Sequence, residues 1–266
     1  MIQKFLYFFI RISPTTKRWF WKKWYTFFAS KSPSPKFRFM NYGYYKEDFN
    51  LKLNSTDYEE RYPIYLYHHV ATQIDLKNKS VLEVGSGRGG GASYIARYLN
   101  PANIVGIDIS ETAVKLCKSI YKSDNLDFFV GDSENIPFEN KSYDIVLNVE
   151  SSHCYGSMGA FLEEVYRVLK PGGYLLFCDL RETNSVDMLL NQFDCSSLNL
   201  VRHQNITKNI IDALVKMSPV RDETIERVVP KVFKKTFKSY AGVKGSSIHK
   251  AFLDGKLSYL SACLQK

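Results

Sequence analysis

The sequence predicts an α/β fold in which a Rossmann-like, mostly parallel sheet has helices on both faces, with an N-terminal helical segment and an inserted helical lid. Three observations predict it. Short apolar strands alternate with longer helical segments from residue 80 onward, a pattern typical of parallel sheets. A glycine-rich run joins the first strand to a helix. The 266 residues, 45% hydrophobic and 24% charged, are enough for one large core.

The predicted elements follow one another in a regular order. The strands are predicted at 81–84, 103–109, 126–130, 143–148 and 174–180. The helices are predicted at 57–74, 89–98, 111–121 and 158–169. Thr56 or Asp57 is the expected N-cap of the first helix, because short polar side chains accept hydrogen bonds from a helix N-terminus. From about 185 to 240 the chain turns helical and polar, which predicts the lid, and residues 243–266 are expected to form an edge hairpin.

The positive charge of the chain is concentrated at its start. The formal net charge is +9, and residues 1–38 hold nine Lys or Arg and no acidic residue. All three tryptophans, Trp19, Trp21 and Trp24, lie in the same stretch. Basic residues interleaved with aromatics suit an anionic membrane surface. The alternative is a helix packed on the domain by its aromatic side chains, and nucleic acid is not expected because no nucleic-acid motif accompanies the segment.

The domain boundary and the compartment also follow from composition. The Ser- and Pro-rich cluster 30–35 ends the N-terminal segment, so the predicted division is 1–36 and 37–266. No apolar run is long enough to span a membrane. The five cysteines are scattered and never spaced as CxxC, which predicts a reducing cytoplasmic location without a disulfide framework or a structural metal.

The strongest local motif is the glycine-rich run after the first strand. It reads Glu83-Val84-Gly85-Ser86-Gly87-Arg88-Gly89-Gly90-Gly91 and leads into a helix. Glycines let the backbone turn sharply and approach a ligand, while the helix N-terminus offers N–H groups. Asp108 ends the second strand, where a carboxylate accepts hydrogen bonds from ribose hydroxyls. NAD-binding proteins share both features, so together they indicate a nucleoside cofactor without selecting one.

Two further motifs distinguish between NAD and other nucleoside cofactors. Gly131-Asp132 follows the third strand, with Ile136-Pro137-Phe138 just beyond, and Leu169-Lys170-Pro171-Gly172-Gly173 precedes the fifth. In this order, together with Glu83, they resemble the motifs of class I S-adenosylmethionine-dependent methyltransferases. The resemblance implies that Glu83 faces the cationic amino end of S-adenosylmethionine, that Asp132 accepts from adenine, and that Ile136 or Phe138 packs on its ring. The expected cofactor contacts are Glu83, Gly85, Gly87, Gly89, Asp108, Ile109, Asp132, Ser133 and Asn148.

Longer phrases narrow the resemblance to one family. Residues 71–76, 81–94 and 146–155 resemble the phthiotriolone/phenolphthiotriolone dimycocerosates methyltransferases, which O-methylate a hydroxyl on a very hydrophobic polyketide lipid. The similarity spans nearly the whole chain and is weakest in residues 1–15 and 181–240. It implies an O-methyltransferase acting on a hydroxyl of a hydrophobic lipid or polyketide-like acceptor. The open alternatives are C- or N-methylation of a sterol, quinone or small amine, and a noncatalytic nucleoside-binding module.

A hydroxyl acceptor needs a base, and His153 is the predicted one. It follows the fourth strand just outside its carboxyl end, where open α/β sheets place their ligands, and an imidazole is suited to take a proton near neutral pH. The alternatives for His153 are to orient the substrate or cofactor, or to cap a turn. His68 is the second catalytic candidate, and with His69 it lies in the helix ahead of the sheet.

Overall fold

The structure, a computed structural model, describes residues 38–229 and 231–266. The strands are β1 (Ser80–Val84), β2 (Asn103–Asp108), β3 (Leu126–Val130), β4 (Tyr143–Val149), β5 (Leu169–Glu182), β6 (Asn199–Asn205) and β7 (Leu257–Gln265). The helices are α1 (Ser55–Tyr58), α2 (Arg61–Ala71), α3 (Gly90–Tyr98), α4 (Glu111–Ile120), α5 (Met158–Val168), α6 (Val186–Asp194), α7 (Thr207–Val228), α8 (Lys231–Tyr240) and α9 (Ser247–Leu253). The predicted N-terminal helical segment, 1–36, lies outside the described residues, so the predicted domain division stays a prediction.

The seven strands form one sheet in the order β3-β2-β1-β4-β5-β7-β6. The first five strands pair in parallel, and β7 is antiparallel to both of its neighbours. The mostly parallel Rossmann-like sheet is therefore confirmed. The strand order reverses between β1 and β4, and ligands of open α/β sheets bind outside the carboxyl ends of the strands at such a point.

Apolar side chains cover both faces of the sheet. On one face the core includes Ile64 and Leu66 of α2 and Ile95 of α3, all fully buried. On the other face it includes Phe161 and Val165 of α5. Helices therefore lie on both faces, as predicted, and they hold the carboxyl ends of the strands in fixed positions.

The prediction of an entirely helical lid over 185–240 is wrong at residues 199–205, which form the edge strand β6. Most side chains of β6 are exposed, and the strand is held by backbone pairing with β7. An exposed edge strand lacks the apolar alternation by which strands are recognised in a sequence. The expected edge hairpin over 243–266 is also wrong, because α9 comes first and β7 then inserts between β5 and β6.

The predicted helix over 57–74 is divided into α1 and α2, and Asp57 does not cap it. The Asp57 carboxylate is fully buried, where it accepts from Arg38 Nη1 at 2.7 Å, Arg97 Nη1 at 2.5 Å and the Tyr98 hydroxyl at 2.6 Å. The Asp57 carboxylate is therefore used in ion pairs with Arg38 and Arg97, which are distant in the chain, and it is not available to cap the helix. Among the described helices, none combines the length and apolar character needed to cross a bilayer.

Candidate active site

The glycine loop after β1 has a backbone that other residues adopt only with strain. Gly85, Gly87 and Gly89 have φ angles of 79°, 53° and 75°, in the left-handed region that glycine tolerates best. A Cβ atom on Gly85 would lie 2.4 Å from Oγ of Ser151, which follows β4. The loop and the end of β4 therefore approach each other more closely than any side chain on Gly85 would allow.

A cavity that is partly open to solvent lies beside this loop at the carboxyl ends of β1, β2, β3 and β4. Six of the predicted cofactor residues line it: Gly85, Gly87, Asp108, Ile109, Asp132 and Ser133. Residues from the ends of three neighbouring strands are thus brought together at one site.

Asp108 organises the loop as well as facing the cavity. Its Oδ2 accepts from the backbone N–H of Gly87 at 2.9 Å, and its Oδ1 accepts from that of Ser110 at 2.8 Å. Burial raises the pKa of Asp108, while these two N–H groups lower it in part. Each carboxylate oxygen can accept a further hydrogen bond, so the arrangement suits the ribose hydroxyls of a nucleoside.

Glu83 and Asn148 lie behind the cavity wall. Glu83 is fully buried, and burial raises its pKa to about 7, against the lowering effect of a hydrogen bond from Tyr67. Among the described residues, its Oε2 has no hydrogen-bond partner. Asn148 Nδ2 donates to the Val84 carbonyl at 3.0 Å and to Ser151 Oγ at 2.8 Å, so it braces the loop after β4.

Three predicted contacts lie away from the cavity wall. Gly89 is the N-cap of α3, and a Cβ atom on it would lie 2.8 Å from the Phe128 ring. Ile136 is only 2% exposed and belongs to the apolar core, and Phe138 packs against the rings of Phe129 and Tyr143. The structure therefore does not bring Ile136 or Phe138 to the place expected for adenine, because the core already occupies their apolar surfaces.

His153 lies in a short 3₁₀ turn, Ser152–Cys154, directly after β4. Its Nδ1 is 2.8 Å from Oδ1 of the fully buried Asp179, and its backbone N–H donates to Oδ2 at 2.7 Å. The side chain is 24% exposed; His153 itself is not among the residues that line the cavity, but the next residue, Cys154, is. The structure thus adds a buried carboxylate, which the sequence analysis missed, to the predicted base.

His68 and His69 lie on α2, where both contact aromatic side chains. His68 Nδ1 is 2.6 Å from the hydroxyl of Tyr94, and burial lowers the pKa of His68. His69 stacks on Tyr44, and burial lowers its pKa to about 4. Neither lines the cavity, so the structure separates the second catalytic candidate, His68, from the residues expected to bind the cofactor.

The sequence analysis missed two contributors to the cavity. The first is the segment 38–41, which lines it ahead of the first helix. The second is Glu150, whose Oε2 accepts from the Tyr42 backbone at 3.0 Å and from the Tyr259 hydroxyl at 2.6 Å. Burial raises the pKa of Glu150 to about 7. The aromatic run Phe39-Met40-Asn41-Tyr42-Gly43-Tyr44 is the sequence signal that could have indicated this segment.

The residues present fit S-adenosylmethionine. The glycine loop leaves room that a Cβ atom would fill, Asp108 faces the cavity for a ribose, and the unpartnered Oε2 of Glu83 suits a cationic amino group. Among the described residues, no group of three or more potential ligands could hold a metal ion. Fold and site together define a class I S-adenosylmethionine-dependent methyltransferase.

Comparisons with known proteins agree with this class. A family model described as "Methyltransferase domain" matches residues 82–177. The phthiotriol/phenolphthiotriol dimycocerosates methyltransferase of Mycobacterium tuberculosis (strain ATCC 25618 / H37Rv) is 36% identical over 255 residues, which cover 96% of this chain and 94% of the relative. The chain belongs to the phthiotriol/phenolphthiotriol dimycocerosates methyltransferase family.

Two other matches show how far the likeness extends. The fatty-acid O-methyltransferase of Mycolicibacterium smegmatis is 36% identical over 203 residues, covering 76% of this chain and 74% of the relative. The solved structure of geranyl diphosphate C-methyltransferase from Streptomyces coelicolor A3(2) has a TM-score of 0.66 at 13% identity, covering 92% of this chain and 97% of that one. That structure shares the fold alone, so the fold does not set which acceptor atom is methylated.

Proposed function

We propose that this chain transfers a methyl group from S-adenosylmethionine to a hydroxyl oxygen of a hydrophobic, lipid-like acceptor. The observation that carries the proposal is the 2.8 Å contact between His153 Nδ1 and Asp179 Oδ1; His153 is next in the chain to Cys154, which lines the cavity. Two relatives support the acceptor class, since one is named for phthiotriol dimycocerosates and the other for O-methylation of fatty acids.

Asp179 holds the imidazole of His153 in one orientation and one tautomer. An ionised carboxylate only accepts hydrogen bonds, so the ring nitrogen that faces it, Nδ1, carries the hydrogen. Nε2 then presents the lone pair, which is the form a general base needs toward a hydroxyl. Cys154, which lines the cavity, also interacts with His153 and raises its pKa.

When bound, S-adenosylmethionine would supply the methyl group from its sulfonium, with the C–S bond broken and the sulfur leaving as the neutral thioether of S-adenosylhomocysteine. The chain has to hold the acceptor oxygen in line with that methyl group, which contributes on the order of 7 to 11 kcal/mol in favourable cases. It also has to remove the hydroxyl proton. As the oxygen forms its new C–O bond, His153 Nε2 takes this proton, and the buried Asp179 carboxylate stabilises the resulting imidazolium.

The charges around the His153–Asp179 pair determine how the reaction rate depends on pH. Burial lowers the pKa of His153, but Cys154 and Asp179 raise it, and the pKa lies well above its ordinary value. A base must be unprotonated before it can act. The rate should therefore increase as the pH rises above 7, until His153 has lost its proton in the resting enzyme.

His153→Ala tests the proposal. Lipid extracts are incubated with methyl-labelled S-adenosylmethionine, and the labelled product is isolated and fragmented in a mass spectrometer. We expect kcat to fall by roughly 10² to 10⁴ while cofactor affinity is nearly unchanged. His203→Ala is the matched control, because His203 lies on β6 and its side chain is exposed. A phenolic acceptor would restore part of the lost rate at high pH, and an aliphatic alcohol would not.

The same experiment distinguishes the other candidate functions. Fragmentation that places the label on carbon or nitrogen would replace O-methylation with C- or N-methylation of a sterol, quinone or amine. Near-normal turnover in His153→Ala would reject His153 as the base. Cofactor binding without a labelled product from any extract would favour a noncatalytic nucleoside-binding module.

We also propose that the basic, aromatic segment 1–38 binds an anionic membrane surface, where a lipid acceptor would be found. Its charge and tryptophan content support this. Arg38 does not contribute, because its guanidinium is engaged by Asp57 at 2.7 Å and by Glu60. The proposal therefore depends on the other eight basic side chains of the segment.

A further inference from the structure

We propose that Arg181 is a positioning residue that shares the Asp179 carboxylate with His153 and so sets the pH at which His153 can accept a proton. This inference rests on the proposed function, in which His153 is the base. Arg181 lies on β5, two residues beyond Asp179, and no motif in the sequence singles it out.

The geometry around Asp179 divides its two oxygens between two cationic side chains. Oδ1 accepts from His153 Nδ1 at 2.8 Å and from the Leu180 backbone at 2.8 Å. Oδ2 contacts Arg181 Nη1 at 3.0 Å and accepts from Ser152 Oγ at 2.5 Å and from the His153 backbone at 2.7 Å. One buried carboxylate therefore faces two groups that can each carry a positive charge.

Arg181 is held in place rather than free to leave. Its side chain is 14% exposed, and its guanidinium lies 5.8 Å from the ring centre of Phe177. Nη1 donates to the Leu180 carbonyl at 2.7 Å, and Nη2 donates to Ser152 Oγ at 2.7 Å. Ser152 Oγ accepts from Arg181 and donates to Asp179 Oδ2, so it links the guanidinium to the carboxylate.

The charge of Arg181 opposes protonation of His153. A buried carboxylate alone would strongly favour the imidazolium form, because charges interact strongly where water is excluded. The nearby guanidinium stabilises the same carboxylate and repels a second positive charge. Removing Arg181 should therefore make His153 hold its proton to a higher pH, and removing the charge of Asp179 should have the opposite effect.

Other titratable groups face His153 and Asp179 and have to be considered in the test. They are Glu150 and Cys154 beside His153, and Tyr42, Tyr155, Cys178 and Tyr259 around Asp179; burial keeps the Cys178 thiol neutral by raising its pKa. Burial raises the pKa of all three tyrosines, so they stay neutral near pH 7. The pKa of Glu150 is about 7, so each variant is also measured with Glu150→Gln to remove that second titration.

The experiment compares Arg181→Met with the unmutated protein by two readouts. The first is the NMR titration of the His153 ring, assigned by the signal lost in His153→Ala. The second is the pH profile of kcat with a labelled lipid extract. We expect Arg181→Met to move both midpoints upward by about one pH unit and Asp179→Asn to move the ring titration downward. Arg167→Met is the matched control, because Arg167 pairs with Glu164 on α5 and should leave both midpoints unchanged.

The outcomes separate this inference from the proposed function. An unmoved His153 titration in folded Arg181→Met overturns the inference, whatever the activity. A shifted titration with an unmoved kcat profile keeps the role of Arg181 toward His153 and rejects His153 as the base. Arg181→Lys retains the charge and should restore most of the original midpoint. Should Arg181→Met not fold, Arg181→Gln must show the same upward shift, since it keeps a hydrogen-bonding group without the charge.

Discussion

The hydroxyl of Tyr67 donates a 2.6 Å hydrogen bond to Oε1 of Glu83. Tyr67 belongs to α2 and Glu83 to β1, so this bond ties the helix ahead of the sheet to the strand that begins the glycine loop. Because Tyr67 occupies Oε1, Oε2 is the carboxylate oxygen left for the predicted contact with the amino group of the cofactor.

Cofactor affinity should rise with pH through about 7. The pKa of Glu83 is about 7, and a cationic amino group binds the ionised carboxylate better than the neutral acid. Calorimetry between pH 6 and pH 8 measures this. Glu83→Gln should bind more weakly by about 1.5 to 3 kcal/mol at pH 8 and should lose most of the pH dependence.

Two variants sharpen that measurement. Tyr67→Phe removes a hydrogen bond that lowers the pKa of Glu83, so the affinity midpoint should move to higher pH while the ring packing is kept. Glu163→Gln is the matched control, because Glu163 is an exposed residue of α5. Equal pH profiles for Glu83→Gln and the unmutated protein would rule out contact between Glu83 and the cofactor.

Asp108→Ala should weaken S-adenosylmethionine binding by about 1.5 to 3 kcal/mol, since it removes a charged acceptor and releases the Gly87 and Ser110 backbone N–H groups. Titration calorimetry measures the change. Asp124→Ala, at an exposed position between α4 and β3, serves as the control. Unchanged affinity in Asp108→Ala would exclude the proposed ribose contact.

Asp57→Asn should lower the free energy of unfolding by about 3 to 5 kcal/mol, because it leaves Arg38 and Arg97 beside a buried neutral group. Urea denaturation measures the loss. Asp127→Asn is the control: it breaks the ion pair to Lys118, but its side chain is 52% exposed, so the cost should stay below about 1 kcal/mol. Similar costs for the two variants would contradict the buried ion-pair network.

The same carboxylate predicts a pH dependence of stability. Burial would raise the pKa of Asp57, but hydrogen bonds from Arg97, Tyr98 and Arg38 lower it from 3.8 to about 2. A lowered pKa in the folded state means that the stabilisation is complete above about pH 4. It should be lost as the pH falls through 2, and Asp57→Asn should lack this part of the acid transition.

Binding to anionic vesicles should depend on residues 1–38 and on salt. Flotation with vesicles containing phosphatidylserine measures this binding. Raising the salt from 0.05 to 0.5 M, which shortens the Debye length about threefold, should release the protein. Vesicles of neutral lipid are the control. A chain lacking residues 1–37 retains Arg38 with its Asp57 contact. Equal flotation of the truncated and full chains would reject the membrane contact, whereas loss of folding on truncation would support the packed-helix alternative.

Local patterns predicted the parts of the fold that are determined locally. The apolar runs located β1 to β4 to within one or two residues, and the glycines located the loop because their positive φ angles restrict residue type there. Asp108 was found because its role depends only on its place at the end of β2. These features can be predicted from neighbouring residues in the sequence alone.

The features that were missed depend on residues that are far apart in the sequence. His153 and Asp179 are 26 residues apart, and Glu150 meets a backbone group 108 residues away in the chain. Pairing across such separations is set by the order of strands in the sheet, which local periodicity does not contain. For the same reason the local sequence predicts Asp57 as a helix cap, although the structure pairs it with Arg97 on α3.

Strand β7 lies between β5 and β6, although it is the last of the seven strands to be synthesised. While the ribosome is still adding residues 206–256, β5 therefore has an unpaired edge that carries Leu176, Phe177 and Cys178, all fully buried in the folded protein. Such an edge invites pairing with other chains. The nascent chain thus holds every strand of the cofactor site before its sheet is closed, and until Leu257–Gln265 arrives this edge of β5 is open to pairing with other chains.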